Sequence, residues 1–146
     1  MEIRKMQIDD YNDVYALWLS CKGMGLNNLD DSEDGIDRFL RRNPDTCFVA
    51  VEASKIVGVI IAGSDGRRGY IYHTAVSEQY RKQGIATRLV NSAMDALKAI
   101  GINKVALVVF DANEDGNAFW ESLGFEVRND LVYRNKPIAE MIRIDT

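Results

Sequence analysis

The sequence predicts one mixed α/β domain, in finer terms α+β, spanning residues 1–146. Its sheet is mostly antiparallel, of about six to seven strands with one parallel pair, and carries about four helices. Three observations carry that expectation. Short apolar runs bounded by turn residues take turns with amphipathic stretches along the whole chain. Residues 70–110 read as strand, helix, strand, and a crossover of that length imposes parallel pairing. The chain is also the size that a single core serves, and it contains no repeat, low-complexity tract or linker.

The elements follow in order. Residues 2–7 read as an edge strand. Asp9 or Asp10 caps a helix that runs to about Cys21, with Val14, Leu17 and Trp18 at helical spacing. Gly23 and Gly25 break it. Residues 27–34 form a polar, acidic loop, and a second helix carrying Ile36, Phe39 and Leu40 ends before Pro44. Strands at 46–51 and 55–62 flank a turn at Ala53-Ser54 and read as a hairpin. Asp-Gly turn chemistry over residues 63–69 leads into a strand at 70–76. The clearest helix covers 84–100, with Ile85, Leu89, Ala93, Leu97 and Ile100 on one face. Gly101 stops it. A nearly pure apolar strand at 104–110 follows, as expected of one buried on both faces. A short helix at 114–123 and a last pair of strands near 125–128 and 137–144 complete the chain.

Composition narrows the function. With 47% apolar and 27% charged residues the chain is ordinary globular protein. A net charge of −4 argues against nucleic acid, which needs a concentrated basic face. Cys21 and Cys47 share no Cys-x-x-Cys or Cys/His spacing, so they read as two reduced, packed thiols, and no metal is expected. The opening residues lead into polar sequence rather than an apolar signal segment, and apolar runs of about five or six residues are too short to span a bilayer. A soluble cytoplasmic protein without a membrane partner is expected.

The chemistry concentrates at Arg81-Lys82-Gln83-Gly84-Ile85-Ala86-Thr87, between a strand and the strongest helix. A helix N-terminus presents unpaired N–H groups and about half a positive charge, which suits a phosphate. Gly84 and Ala86 keep the backbone bare, while Arg81, Lys82 and Arg88 add cationic side chains. By itself the pattern also fits an ordinary glycine at a helix entry. Neither a P-loop nor a Gly-x-Gly-x-x-Gly dinucleotide fingerprint is present.

About one helix and one strand later comes Asn113-Glu114-Asp115-Gly116-Asn117-Ala118-Phe119-Trp120-Glu121-Ser122-Leu123-Gly124-Phe125. The two segments together resemble the GNAT-type N-acetyltransferase superfamily, and small bacterial members of uncertain substrate in particular. Val76, Arg81, Gly84 and Ala86 match the first signature of that superfamily, Val-x-x-x-x-Arg/Gln-x-x-Gly-x-Gly/Ala. Asn113, Phe119, Gly124 and Phe125 match the second, Asn-x-x-Ala-x-x-Phe/Leu-Tyr-x-x-x-Gly-Phe. The order of elements over the whole chain is also similar.

The resemblance implies an N-acetyltransferase that moves an acetyl group from acetyl-coenzyme A, its cosubstrate, to an unidentified primary amine within a ternary complex. It implies that main-chain amides from Arg81 through Thr87 hold the pyrophosphate. The pantetheine arm then lies where two parallel strands splay, beside Ala75 and Val76, with the Val76 N–H facing the thioester oxygen and Asn113 touching the arm. Such a fixed donor contributes a few kcal/mol of oxyanion stabilisation. Many relatives pair as dimers, so a homodimer is one assembly that the resemblance admits.

Two departures stand out. Gly116 replaces the usual alanine, and Trp120 replaces a tyrosine that protonates the departing thiolate. An indole N–H donates a hydrogen bond but does not give up its proton near neutral pH. On the fourth strand, alternation places Tyr70, Tyr72 and Thr74 on one face and Ile71, His73 and Ala75 on the other. Tyr72, acting through a water, is the candidate base. His73 reads as a histidine satisfied against a helix, and the acidic residues Asp30, Asp31, Glu33 and Asp34 as a solvated loop. Trp18 reads as core. The alternative reading, supported by Trp120 and the absent strand carboxylate, is a non-catalytic acyl-CoA-binding sensor or regulatory module. A fold used only for protein contacts is the third.

Overall fold

β1 (Glu2–Lys5), β2 (Phe48–Glu52), β3 (Lys55–Ser64) and β4 (Gly69–Val76) pair antiparallel in that order. β5 (Val105–Ala106) joins β4 in parallel and closes a sheet ordered β1-β2-β3-β4-β5. The computed structural model describes residues 1–144. Between β2 and β3 the turn residues Ala53 and Ser54 both take positive φ, 49° and 66°, a geometry that matches strand twist.

The described residues form four α-helices: α1 (Tyr11–Ser20), α2 (Glu33–Arg42), α3 (Ile85–Ala99) and α4 (Glu114–Ser122). α2 starts at Ser32, whose Oγ accepts the Gly35 N–H at 3.0 Å. Its acidic first turn and basic last turn complement the helix dipole. α1 and α2 pack on one face of the sheet, with Val14, Trp18, Ile36 and Leu40 against Val49, Val59 and Ile61. α3 packs on the other, with Ile85, Leu89, Ala93 and Leu97 against Ile60, Ala62, Ile71 and Val76. Fully burying each of the Val, Leu and Ile side chains among them contributes roughly 1.5–3 kcal/mol. Gly58 permits the close approach of α3, since a Cβ there lies 3.0 Å from Leu89. No helix among the described residues is long and apolar enough to cross a membrane.

Three expectations are corrected. Ile100 is exposed, because it caps α3 beyond its last turn and no longer shares the buried stripe. The strand expected at 104–110 shrinks to Val105–Ala106, because β4 and the following chain diverge after Gly69↔Val105 and Tyr70↔Ala106. The final strands expected near 125–128 and 137–144 do not join the sheet, so it has five strands rather than six or seven. Residues 142–144 instead meet the loop after α1: Asn28 N–H donates to Ile142 O at 3.0 Å and Ile144 N–H to Leu26 O at 3.1 Å. Local alternation supports a strand only where a partner edge is in reach.

Candidate active site

The site begins with an irregularity in β4. Val59 pairs with Ala75, but Ile61 pairs with Tyr72, so β4 holds one residue more than β3 across this interval. His73 absorbs the bulge at φ 27°. The indole N–H of Trp18 donates to the His73 carbonyl at 3.1 Å, and the two rings meet edge-on with centroids 5.2 Å apart. Trp18 is therefore core, as expected, and also holds the bulge.

The extra residue changes the parity of the strand. Ile71 packs toward α3, whereas His73 and Ala75 both meet the α1 side. The expected grouping of Ile71, His73 and Ala75 on one face is thus incorrect, because period-two alternation does not survive a bulge.

Beyond the short parallel ladder, β4 and residues 107–110 separate around a cavity of about 1420 Å³. Tyr72, Ala75, Val76, Arg81, Ala86, Asn113 and Trp120 all line it, which brings most of the candidate residues into one place. Ser77 N–H bonds to Val57 O at 2.8 Å on the β3 side. Alternation along an antiparallel strand therefore turns the Val76 N–H the other way, into the splay. The Val76 carbonyl accepts from Arg81 Nε at 3.1 Å, and Arg81 Nη2 lies 3.6 Å from Cys21 Sγ. The signature arginine bolts the loop before α3 to the end of β4.

At the entry to α3, Lys82 and Gly84 take left-handed φ values of 62° and 79°. The amides of Gly84, Ile85, Ala86 and Thr87 have no acceptor among the described residues, and no side chain caps the helix. A Cβ on Gly84 meets nothing within 4 Å. Lys82, Gln83 and Gly84 are exposed and Thr87 is half-buried, whereas the Ile85 side chain is buried beneath the helix entry. The result is an open, positively polarised ring of N–H groups that fits a pyrophosphate.

Asn113 and Trp120 face the same cavity from α4. Asn113 caps that helix, its Oδ1 accepting the Gly116 N–H at 2.9 Å. A Cβ on Gly116 meets the Asn113 side chain, so the glycine and the asparagine fit each other. Trp120 stacks edge-on between Phe119 and Phe125, at 5.0 and 5.2 Å, and its indole N–H has no partner among the described residues.

The other end of the cavity is aromatic. Tyr70 and Tyr72 have ring centroids 4.6 Å apart, Phe39 meets Tyr72 edge-on at 5.7 Å, and Tyr133 also lines this end. Burial, with help from Tyr133 and Tyr72, pushes the Tyr70 hydroxyl up to about 12. Burial, then Tyr133 and Asp30, also raises Tyr72. Both phenols are thereby held protonated at neutral pH.

Sequence reasoning missed Asp31. The loop around it was expected to be solvated, yet its side chain is only 4% exposed. Its Oδ1 lies 2.8 Å from His73 Nε2, its Oδ2 accepts the Asn27 N–H at 2.8 Å, and its carbonyl accepts from Tyr11 OH at 2.6 Å. No spacing marks this pairing, since its partners are 42 residues apart.

Comparison with known proteins identifies the family and the fold. Residues 11–125 match the model of the acetyltransferase (GNAT) family. An acetyltransferase of Sodalis glossinidius is 35% identical over 140 residues, covering 96% of this chain and 97% of the relative. Ard1 of Thermoplasma volcanium superposes with a TM-score of 0.78 at 21% identity, over 87% of this chain and 83% of that one. The PaiA N-acetyltransferase of Thermoplasma acidophilum, solved in complex with coenzyme A, superposes with a TM-score of 0.74 at 21% identity, over 87% and 90%. At that identity the two structures speak for the fold alone.

Proposed function

Because the chain belongs to the GNAT acetyltransferase family, we propose that it carries an acetyl group from acetyl-coenzyme A to a primary amine by direct attack in a ternary complex. Acetyl-coenzyme A-dependent transfer is the family's activity; the amine, the direct attack and the residue roles are our reading. The observation that carries it is the row of unpartnered amides at Gly84 to Thr87, opening beside the cavity where β4 and the 107–110 segment part.

In this reading the main chain from Arg81 through Thr87 holds the pyrophosphate, with Lys82 and Gln83 at the exposed rim. Ala75 and Val76 flank the pantetheine arm and Asn113 meets it from α4. The Val76 N–H, turned into the splay, donates to the thioester oxygen as negative charge develops there. The cavity holds the two reactants together, which supplies much of the rate by proximity. The indole N–H of Trp120 donates to the departing sulfur without transferring a proton. Burial disfavours the ionised form of Tyr72, and this reading gives it the role of a hydrogen-bond donor at the cavity wall in place of the water-mediated base that the sequence suggested.

The test is a thiol-release assay with acetyl-coenzyme A against diverse primary amines, beside calorimetric titration of coenzyme A. Coenzyme A binding together with amine-dependent thiol release is the expected outcome. Binding without release from any amine would replace the enzyme by a non-catalytic sensor, and no binding would remove both.

A further inference from the structure

His73 is the chain's one histidine, and its ring is held in a single orientation. Its Nε2 lies 2.8 Å from Asp31 Oδ1. A carboxylate oxygen accepts, so Nε2 carries the hydrogen, and in the neutral ring the lone pair sits on Nδ1. Nδ1 has no partner among the described residues. The His73 side chain is 15% exposed, and it lines the cavity just upstream of Thr74, Ala75 and Val76.

The surroundings hold both members of the pair. Asp31 is tied through its second oxygen to the Asn27 N–H, and its carbonyl accepts from Tyr11 OH. The His73 carbonyl, displaced from the ladder by the bulge, is taken by Trp18. Without the bulge, alternation would turn the imidazole toward α3 and away from Asp31. A buried carboxylate fixing an imidazole that lines a cavity, with its other nitrogen unbonded among the described residues, is an arrangement that prepares a proton acceptor. The neighbouring phenols do not compete, since burial and nearby charge hold Tyr70 and Tyr72 protonated.

We propose that His73, positioned by Asp31, takes the proton that the amine acceptor must lose before attack, a role that rests on the acetyl-transfer reading above. Val76 is three residues further along, about 10 Å of extended strand, beyond a direct hydrogen bond, so the proton passes to the imidazole through intervening water. The acceptor enters as an ammonium ion. One proton passes from its nitrogen through the water to Nδ1. The freed lone pair forms the nitrogen–carbon bond to the acetyl carbonyl, and the carbon–sulfur bond breaks. The second nitrogen-bound proton goes to the sulfur, leaving amide and thiol, and the imidazolium then releases its proton to solvent.

The variants follow from the backbone. At φ 27° asparagine and glycine are the tolerated replacements. His73→Asn fits the backbone but its amide stops near the place of Nδ1, short of Asp31, and His73→Gly leaves room for free imidazole. Both lower kcat by about 100-fold, while the calorimetric Kd for coenzyme A stays within about twofold of wild type. Added imidazole restores at least about tenfold of the lost rate to His73→Gly but none to His73→Asn.

A single histidine also makes nitrogen NMR of the ring unambiguous. At a pH where the ring is neutral, Nε2 of the wild-type protein without ligand carries the hydrogen and Nδ1 does not, and Asp31→Asn mixes the two tautomers. A folded His73→Asn enzyme with wild-type kcat overturns the proposal. So does a fall in kcat matched by an equal loss of coenzyme A affinity, or a hydrogen on Nδ1 of the neutral ring in the free protein. Wild-type protein that releases no thiol with any amine defeats the parent reading instead.

Discussion

The two ends of the cavity are built differently. The proposed nucleotide end is made of main chain: a left-handed glycine, a row of free amides and an arginine that ties the loop to β4. The proposed acceptor end is made of side chains from α1, the loop before α2 and a bulged stretch of β4. Backbone sites require particular residues at particular spacings, since only glycine takes a positive φ without strain and only small residues let a phosphate approach. Side-chain sites can be assembled from any elements that the fold brings together. One end is therefore written as a motif, and the other exists only in three dimensions.

The sharpest way to break this comparison is Gly84→Val. The position has φ 79° and open space where a Cβ would project. A branched side chain both strains that conformation and fills the approach to the amides. Coenzyme A affinity is expected to fall at least about tenfold, about 1.4 kcal/mol, by calorimetry on protein shown to be folded. Unchanged affinity would mean that the amides of α3 do not hold the nucleotide.

The same contrast explains what was legible in the sequence. Ile85, Leu89, Ala93 and Leu97 recur at helical spacing and are buried as one stripe on the sheet. Arg81, Gly84 and Ala86 mark the helix entry by residue type alone. The bulge at His73 carries no such mark, because neither glycine nor proline accompanies a histidine at positive φ. Asp31 was equally hidden: it sits among Asp30, Glu33 and Asp34, and only the packing of α1 against β4 selects it for burial. The 137–144 segment failed for a related reason. Its apolar residues have strand character, but pairing is a long-range event, and its end meets residues 26–28 instead of β5.

A second test asks whether the two ends are independent. Trp18→Phe keeps most of the buried ring but removes the donor to the His73 carbonyl at 3.1 Å. Leaving that carbonyl unpaired costs about 1–3 kcal/mol of stability, measured by thermal or denaturant unfolding. The bulge loses a support, so kcat is expected to fall about tenfold through misplacement of the imidazole. Coenzyme A affinity should hold, because the amide row is set by Gly84 and Arg81 on the far side of Val76. A parallel loss of affinity would show that the bulge and the cradle move as one unit.

The smallest expected effect probes the seam between the ends, at Trp120. Its ring is wedged between Phe119 and Phe125 and lines the cavity from α4. A thiol has a pKa of roughly 8.5, so its thiolate leaves without an acid, and an indole hydrogen bond is enough for turnover. Trp120→Tyr supplies a hydroxyl that transfers its proton as well as donating it. kcat is then expected to rise by roughly two- to tenfold, below the usual effect of a general acid because expulsion of a thiolate is already easy. The smaller ring gives up part of the packing with Phe119 and Phe125, so thermal stability falls slightly. A collapse of coenzyme A binding in this variant would reassign the tryptophan from the departing sulfur to the wall that supports α4.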